Sequence, residues 1–142
     1  MNILKCIIPE IGIQAIYFLN LNIIKMLSEH KILTWFAACH VTDVPANGGV
    51  CVKYRETQIA LFHFARRGEW YATQNECPHR MQMALSRGMI GTQNGEPKVA
   101  CPFHKKTFSL ITGECLSGDE SNIKTYPVKV EEGRILIGIE EE

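Results

Sequence analysis

At 142 residues the chain has room for one ordinary domain with a real hydrophobic core. It is 46% hydrophobic and 21% charged, with 15 basic residues balancing 15 acidic ones, the composition of a soluble globular protein. A formal charge of zero gives no basis for expecting a nucleic acid or an anionic membrane as partner. The six cysteines, at positions 6, 39, 51, 77, 101 and 115, lack the dense spacing of a small disulfide scaffold. Two of them instead open Cys-x-His and Cys-x-x-His pairs, which read as metal loops in a reducing compartment, the cytoplasm.

In chain order, residues 1–30 form an extension, non-native or a loosely attached helix, ahead of a domain at 31–142. The longest uncharged run of the extension, residues 11–24, is 14 residues, short of the roughly 20 that span a bilayer. Asn20, Asn22 and Lys25 lie where a signal peptide would need small residues. Ile16, Leu19, Ile23, Ile24 and Leu27 approximate one face of a helix that could touch a membrane surface. The plainer reading takes Met26 as the natural start and expects no membrane partner.

From residue 31 onward short strands follow one another. Residues 35–39 are an apolar run, and Thr42 to Gly49 is turn-forming, with Pro45 and Asn47-Gly48-Gly49 predicted to stop a strand. Val50, Val52 and Tyr54 alternate with Cys51, Lys53 and Arg55, the period of a half-buried strand. Residues 59–64 are apolar on both parities and predict a central strand covered on both faces. A turn at 66–69 joins it to a strand at 70–73, a hairpin. Residues 76–113 are broken by Gly88, Gly91, Asn94-Gly95, Pro97 and Gly113, with short strands at 98–100 and 107–110. That section is expected to be a small sub-domain serving the two metal loops. Tyr126, Val128 and Val130 predict another strand, Glu132-Gly133 a turn, and Ile135, Ile137 and Ile139 the last strand. The expected fold is all-β, of the sandwich or barrel type.

The loops are Cys77-Pro78-His79 and Cys101-Pro102-Phe103-His104, with 21 residues between His79 and Cys101. Each supplies one thiol and one imidazole, and Pro78 and Pro102 stiffen the backbone behind each cysteine. Four such donors fit a single tetrahedral zinc. They fit equally a [2Fe–2S] cluster in which two His replace two Cys on one iron. Zinc loops more often keep their cysteines on one side and their histidines on the other, so the interleaved order favours the cluster.

The stretch from Cys77 to Gly88, followed by Cys101-Pro-Phe-His-Lys-Lys-Thr-Phe-Ser-Leu110 and Thr112-Gly113, resembles a Rieske [2Fe–2S] domain, as do Trp35 and the Asp43-Val44-Pro45 turn. Residues 81–88, 95–100 and 104–108 are most similar to the small subunit of NAD(P)H-dependent assimilatory nitrite reductase. The resemblance covers about residues 31–139. It implies a Rieske-type fold, an antiparallel sandwich or barrel base with a cluster-binding sub-domain at about 76–113. It also implies that Cys77 and Cys101 ligate one iron, and His79 and His104 the other. The implied function is electron transfer for reduction of nitrite to ammonium, in a cytoplasmic assembly with a large nitrite reductase subunit. FAD, sirohaem and a [4Fe–4S] cluster belong to that partner alone, and no substrate site is evident in this chain. Two alternatives remain: a free-standing Rieske ferredoxin donating electrons to an oxygenase, and a zinc-stabilised binding module.

Respiratory Rieske proteins resemble this chain in the ligands but add a clamping disulfide, where this chain has Phe103 and no extra loop cysteine. They also carry Ser and Tyr donors, where Lys106 and Phe108 stand here. Loss of those donors predicts a potential toward the low end of the roughly −150 to +300 mV Rieske range. Cys39, Cys51 and Cys115 are read as buried or half-buried structural thiols. His63 is read as a packed or edge residue, and His30 and His40 as surface residues. Met81 and Met83 are either core filler or an adaptable docking patch. Lys105 and Lys106 are solvated charges that could steer an acidic partner.

Overall fold

The computed structural model describes residues 32–141; the expectations for residues 1–30, Cys6 and His30 included, lie outside them. Regular structure here is strand, with two short 3-10 turns and no α-helix among the described residues. The strands are β1 (Leu33–His40), β2 (Gly48–Tyr54), β3 (Thr57–Phe64), β4 (Glu69–Gln74), β5 (Glu76–Cys77), β6 (Gln82–Met83), β7 (Met89–Gln93), β8 (Glu96–Ala100), β9 (Thr107–Ser109), β10 (Thr125–Tyr126), β11 (Val128–Glu131) and β12 (Arg134–Glu140). Residues 34–139 make up one compact unit. Of the second unit, only residues 32, 33, 140 and 141 are described.

The base consists of a four-stranded sheet, β10-β4-β3-β2, and a three-stranded sheet, β1-β12-β11. As its composition predicts, β3 lies inside the larger sheet and is covered on both faces. Ile59 and Leu61 pack with Val44, Ala72, Ile135 and Ile137. Ala60, Phe62 and Phe64, on the opposite face, pack with Cys77, Leu85, Val99, Cys101, Phe108 and Leu110. One strand therefore feeds two cores by the simple alternation of its side chains. The β3–β4 hairpin also forms as expected, with Phe62 opposite Tyr71 and His63 opposite Trp70.

Three local expectations are corrected. Gly48-Gly49 does not stop a strand; it begins β2, opposite His63 and Phe62. A Cβ on Gly49 would meet the Phe62 ring and the Ser86 carbonyl at 2.8 Å, so this glycine allows a close approach. The strand predicted through Tyr126, Val128 and Val130 is divided at Pro127: β10 pairs with β4, while β11 pairs with β12. Proline has no N–H for a ladder, and its carbonyl accepts from Gly138 N at 2.9 Å as the chain changes sheets. Cys51 is exposed, because it alternates with the half-buried Val50 and Val52 and therefore points to the open face of an edge strand. Cys39 and Cys115 are half-buried, as expected.

Above the base, β5-β6 is a separate two-stranded hairpin and β7-β8-β9 a separate three-stranded sheet. The Asn94-Gly95 turn between β7 and β8 has φ of 52° and 81°, the primed geometry suited to a two-residue hairpin.

Candidate metal centre

Each ligand loop is a small hairpin, and the two have the same construction. In the first, Cys77 pairs with Gln82, five residues on. In the second, Cys101 N donates to Lys106 O at 2.8 Å, again five residues on. The residue four places after each cysteine turns left-handed, Met81 at φ 52° and Lys105 at φ 57°. Lys105 N closes its loop onto Cys101 O at 2.8 Å. A non-glycine residue in this region is strained, and such strain concentrates where a loop must hold functional groups.

The hairpins gather three of the four predicted donors and set the fourth, His79, beside Cys77. Cys77 Sγ lies 3.8 Å from His79 Nδ1, and Cys101 Sγ lies 3.9 Å from His104 Nδ1. The donor atoms of Cys77, Cys101 and His104 all lie within 4.8 Å of one another. His79 stands outside that trio and joins it through Cys77; its ring centroid is 6.3 Å from that of His104. Four donors in two thiol–imidazole pairs can serve a single tetrahedral zinc. Two thiols and two inward-facing Nδ1 atoms are also the donor set a [2Fe–2S] group of this kind requires.

Both cysteines are fully buried. Burial pushes the Cys77 thiol up, and the neighbouring Cys101 and Cys115 sulfurs add to the shift. A bound metal reverses that preference, because the coordinated form is the thiolate. Phe108 is buried 6.0 Å from the His79 ring and provides the apolar floor. The rim is different: Met81, Met83, Met89 and Phe103 are exposed, which removes core filling as the role of Met81 and Met83. Exposed Arg80, Arg87 and Lys105 stand among them. A hollow of about 520 Å³ beside Cys101 is lined by Arg87, Met89, Ala100, Pro102 and Lys105.

Two contributors carry no motif in the sequence. Buried Asn75 anchors the return of the first loop: its backbone oxygen accepts from Ala84 N and Leu85 N at 3.0 Å, and its Oδ1 from Ser86 N at 2.8 Å. Its amide donates to Gln58 Oε1 at 3.0 Å, which fastens the loop to β3. Asp119 reaches His79 from a third loop, Oδ2 to Nε2 at 2.6 Å, with Lys106 Nζ 3.9 Å from the same oxygen. The hydrogen bond from His79, then those from Ser121, hold this carboxyl down at about 2. That third loop turns at Gly113 (φ 81°), where a Cβ would lie 2.0 Å from the Ile123 carbonyl oxygen. Asp119 lies 40 residues from His79 in sequence, and Asn75, two residues before Cys77, belongs to no ligand pattern, so no spacing rule points to either.

His63 is a packed residue, as expected, stacked on Trp70 with centroids 3.8 Å apart, and His40 is exposed. No helix among the described residues is long and apolar enough to cross a membrane.

Comparison with known proteins places this architecture. A family model described as a Rieske-like [2Fe-2S] domain matches residues 34–138. The chain is 31% identical to the nitrite reductase (NADH) small subunit of Escherichia coli K12 over 103 residues, 72% of this chain and 95% of that protein. It is 36% identical over 104 residues to the nitrite reductase [NAD(P)H] large subunit of Klebsiella oxytoca; that match takes in 73% of this chain but only 11% of that protein. It is also 36% identical over 107 residues to the ferredoxin component of naphthalene 1,2-dioxygenase/salicylate 5-hydroxylase systems from a Ralstonia species, 75% of this chain and 96% of that protein. A crystal structure from Mycobacterium tuberculosis, described as a candidate NADH-dependent nitrite reductase small subunit, superposes with a TM-score of 0.73 at 31% identity, covering 78% of this chain and 99% of that one. With its two thiol–imidazole hairpins and its all-β base, the chain belongs to the Rieske-like [2Fe-2S] domain family, alongside the nitrite reductase small subunits.

Proposed function

We propose that the chain is the electron-carrying small subunit of a cytoplasmic NAD(P)H-dependent nitrite reductase. Cys77 and Cys101 hold one iron of a [2Fe–2S] cluster, and His79 and His104 hold the other. When bound, that group takes up and gives back one electron at a time. The chain's own residues bury the sulfur side against Phe108, leave both imidazoles half-buried, and hold the four donors on two strained hairpins. With neither a clamping disulfide nor hydroxyl donors at Lys106 and Phe108, the potential is expected at the low end of the Rieske range.

The observation that carries the partner assignment is the way this domain recurs. It accounts for nearly all of one nitrite reductase small subunit and about a tenth of a nitrite reductase large subunit. A domain found both separately and within the longer polypeptide is expected to bind the rest of that polypeptide. The partner is therefore a large chain carrying NAD(P)H and FAD sites, sirohaem and a [4Fe–4S] cluster, where nitrite is reduced to ammonium. Exposed methionines and Phe103, ringed by Arg80, Arg87 and Lys105, suit an adaptable contact with an acidic surface.

Affinity purification from the native cell, with EPR of the dithionite-reduced sample and metal and sulfide analysis, tests this reading. The expected result is a Rieske signal in a stable complex with a sirohaem-containing large chain. A loaded cluster on a chain that never associates with sirohaem protein would instead favour the oxygenase ferredoxin role, which the Ralstonia relative supports. Zinc without acid-labile sulfide would overturn both.

A further inference from the structure

Asp119 brings a carboxylate to one of the two loop imidazoles, that of His79. We propose that Asp119 is a positioning residue for the metal centre: it fixes His79 in the tautomer whose Nδ1 lone pair faces the cluster site, and it lowers the reduction potential by making His79 the more electron-rich of the two histidines. The inference rests on the reading of His79 as a ligand.

The geometry is direct. Asp119 Oδ2 lies 2.6 Å from His79 Nε2, while Nδ1 of the same ring faces Cys77 Sγ at 3.8 Å. An imidazole that donates from Nε2 presents an unprotonated Nδ1, the form a metal needs, and a carboxylate on the outer nitrogen raises the basicity of the inner one. The carboxylate is itself held: its Oδ1 accepts from both N and Oγ of Ser121 at 3.1 Å. The loop that carries it does not depend on this contact. Leu116 N donates to Thr107 O at 2.7 Å, Thr107 N to Ser117 Oγ at 2.9 Å, and Ile123 N to Gly113 O at 2.8 Å. Among the described residues no protein group hydrogen-bonds Nε2 of His104. Charge placed on one imidazole stabilises the more positive oxidised centre, which lowers the potential. Lys106 Nζ, 3.9 Å from the same carboxylate oxygen, offsets part of that effect.

The test compares wild-type, Asp119→Asn and Asp119→Glu full-length protein after confirmation of iron, sulfide and the EPR signal. At the wild-type midpoint, Asp119→Asn is expected to raise the ratio of reduced to oxidised protein about tenfold, equivalent to about 59 mV for one electron. Pulsed EPR should show altered nitrogen couplings for one histidine only, and Asp119→Glu should restore both readouts. Should Asp119→Asn fail to load iron, a loaded Asp119→Glu protein with the wild-type potential supports the proposal, and loss of the cluster or a shifted potential in Asp119→Glu overturns it. A loaded Asp119→Asn protein with unchanged potential and couplings overturns the role of Asp119 and leaves the proposed function standing. Wild-type protein without acid-labile sulfide overturns the ligand assignment and this inference together.

Discussion

The two ligand hairpins share a frame and differ in what stands around them. Both pair the cysteine with the residue five places on, and both turn left-handed one residue earlier, at Met81 and Lys105. The first is fastened from below by Asn75 and from the side by Asp119. The second closes on itself, Lys105 N to Cys101 O, and meets Asp119 only through Lys106 Nζ at 3.9 Å. One frame, used twice, places the donors; the neighbours make the two imidazoles unequal.

The largest effects should strike the shared part. His79→Ala and His104→Ala are each expected to abolish the cluster's visible and EPR signals, and a signal surviving in one variant alone would show that the hairpins do not contribute equally. Asn75→Ala comes next. It leaves Ser86 N without its acceptor and Gln58 Oε1 with only the weak Cys51 thiol donor, so unfolding by denaturant should reveal a loss of about 1–3 kcal/mol. Because the anchor serves the first hairpin, iron release should quicken as well; unchanged stability would dismiss Asn75 as the anchor. Substitution to glycine at the strained positions should work in the other direction. Lys105→Gly and Met81→Gly remove a Cβ that opposes positive φ, and each is expected to stabilise by roughly 1 kcal/mol, read as a higher denaturation midpoint. A gain in only one of the pair would mean the turns are not equivalent in energy. The smallest effect concerns the rim: Lys105→Glu should slow association with an acidic partner several-fold at low salt and have little effect at high salt. Identical rates at both salt concentrations would remove Lys105 from the docking surface.

Much of this was legible in the sequence because it rests on local rules. Two-sided apolarity marked β3, the turn at 66–69 marked the β3–β4 hairpin, and mixed Cys/His loops with prolines marked the candidate donors. The failures have one physical source, since each depends on what lies across space. Gly48-Gly49 looks like a turn until Phe62 and the Ser86 carbonyl are placed against Gly49. Tyr126 to Val130 keeps its alternation across Pro127, and nothing local reveals that the ladder partner changes there. Cys51 follows the alternation of its strand, yet the exposure of that face depends on β2 lying at the sheet edge. Asp119 is 40 residues from the histidine it touches. The candidate donors could be read from spacing; the groups that fasten their loops could not.

The double duty of β3 has a consequence for the order in which the protein comes apart. Its alternate side chains belong to two cores, and only one of those cores includes Cys77 and Cys101. Removing the metal therefore slackens one face of β3 and leaves the aliphatic face with Ile135 and Ile137 intact. Local opening should be confined to the hairpins, while the amides of β3 remain among the slowest to exchange with solvent. A chain that keeps its base folded when empty can receive its cluster after synthesis, on a scaffold already waiting for it.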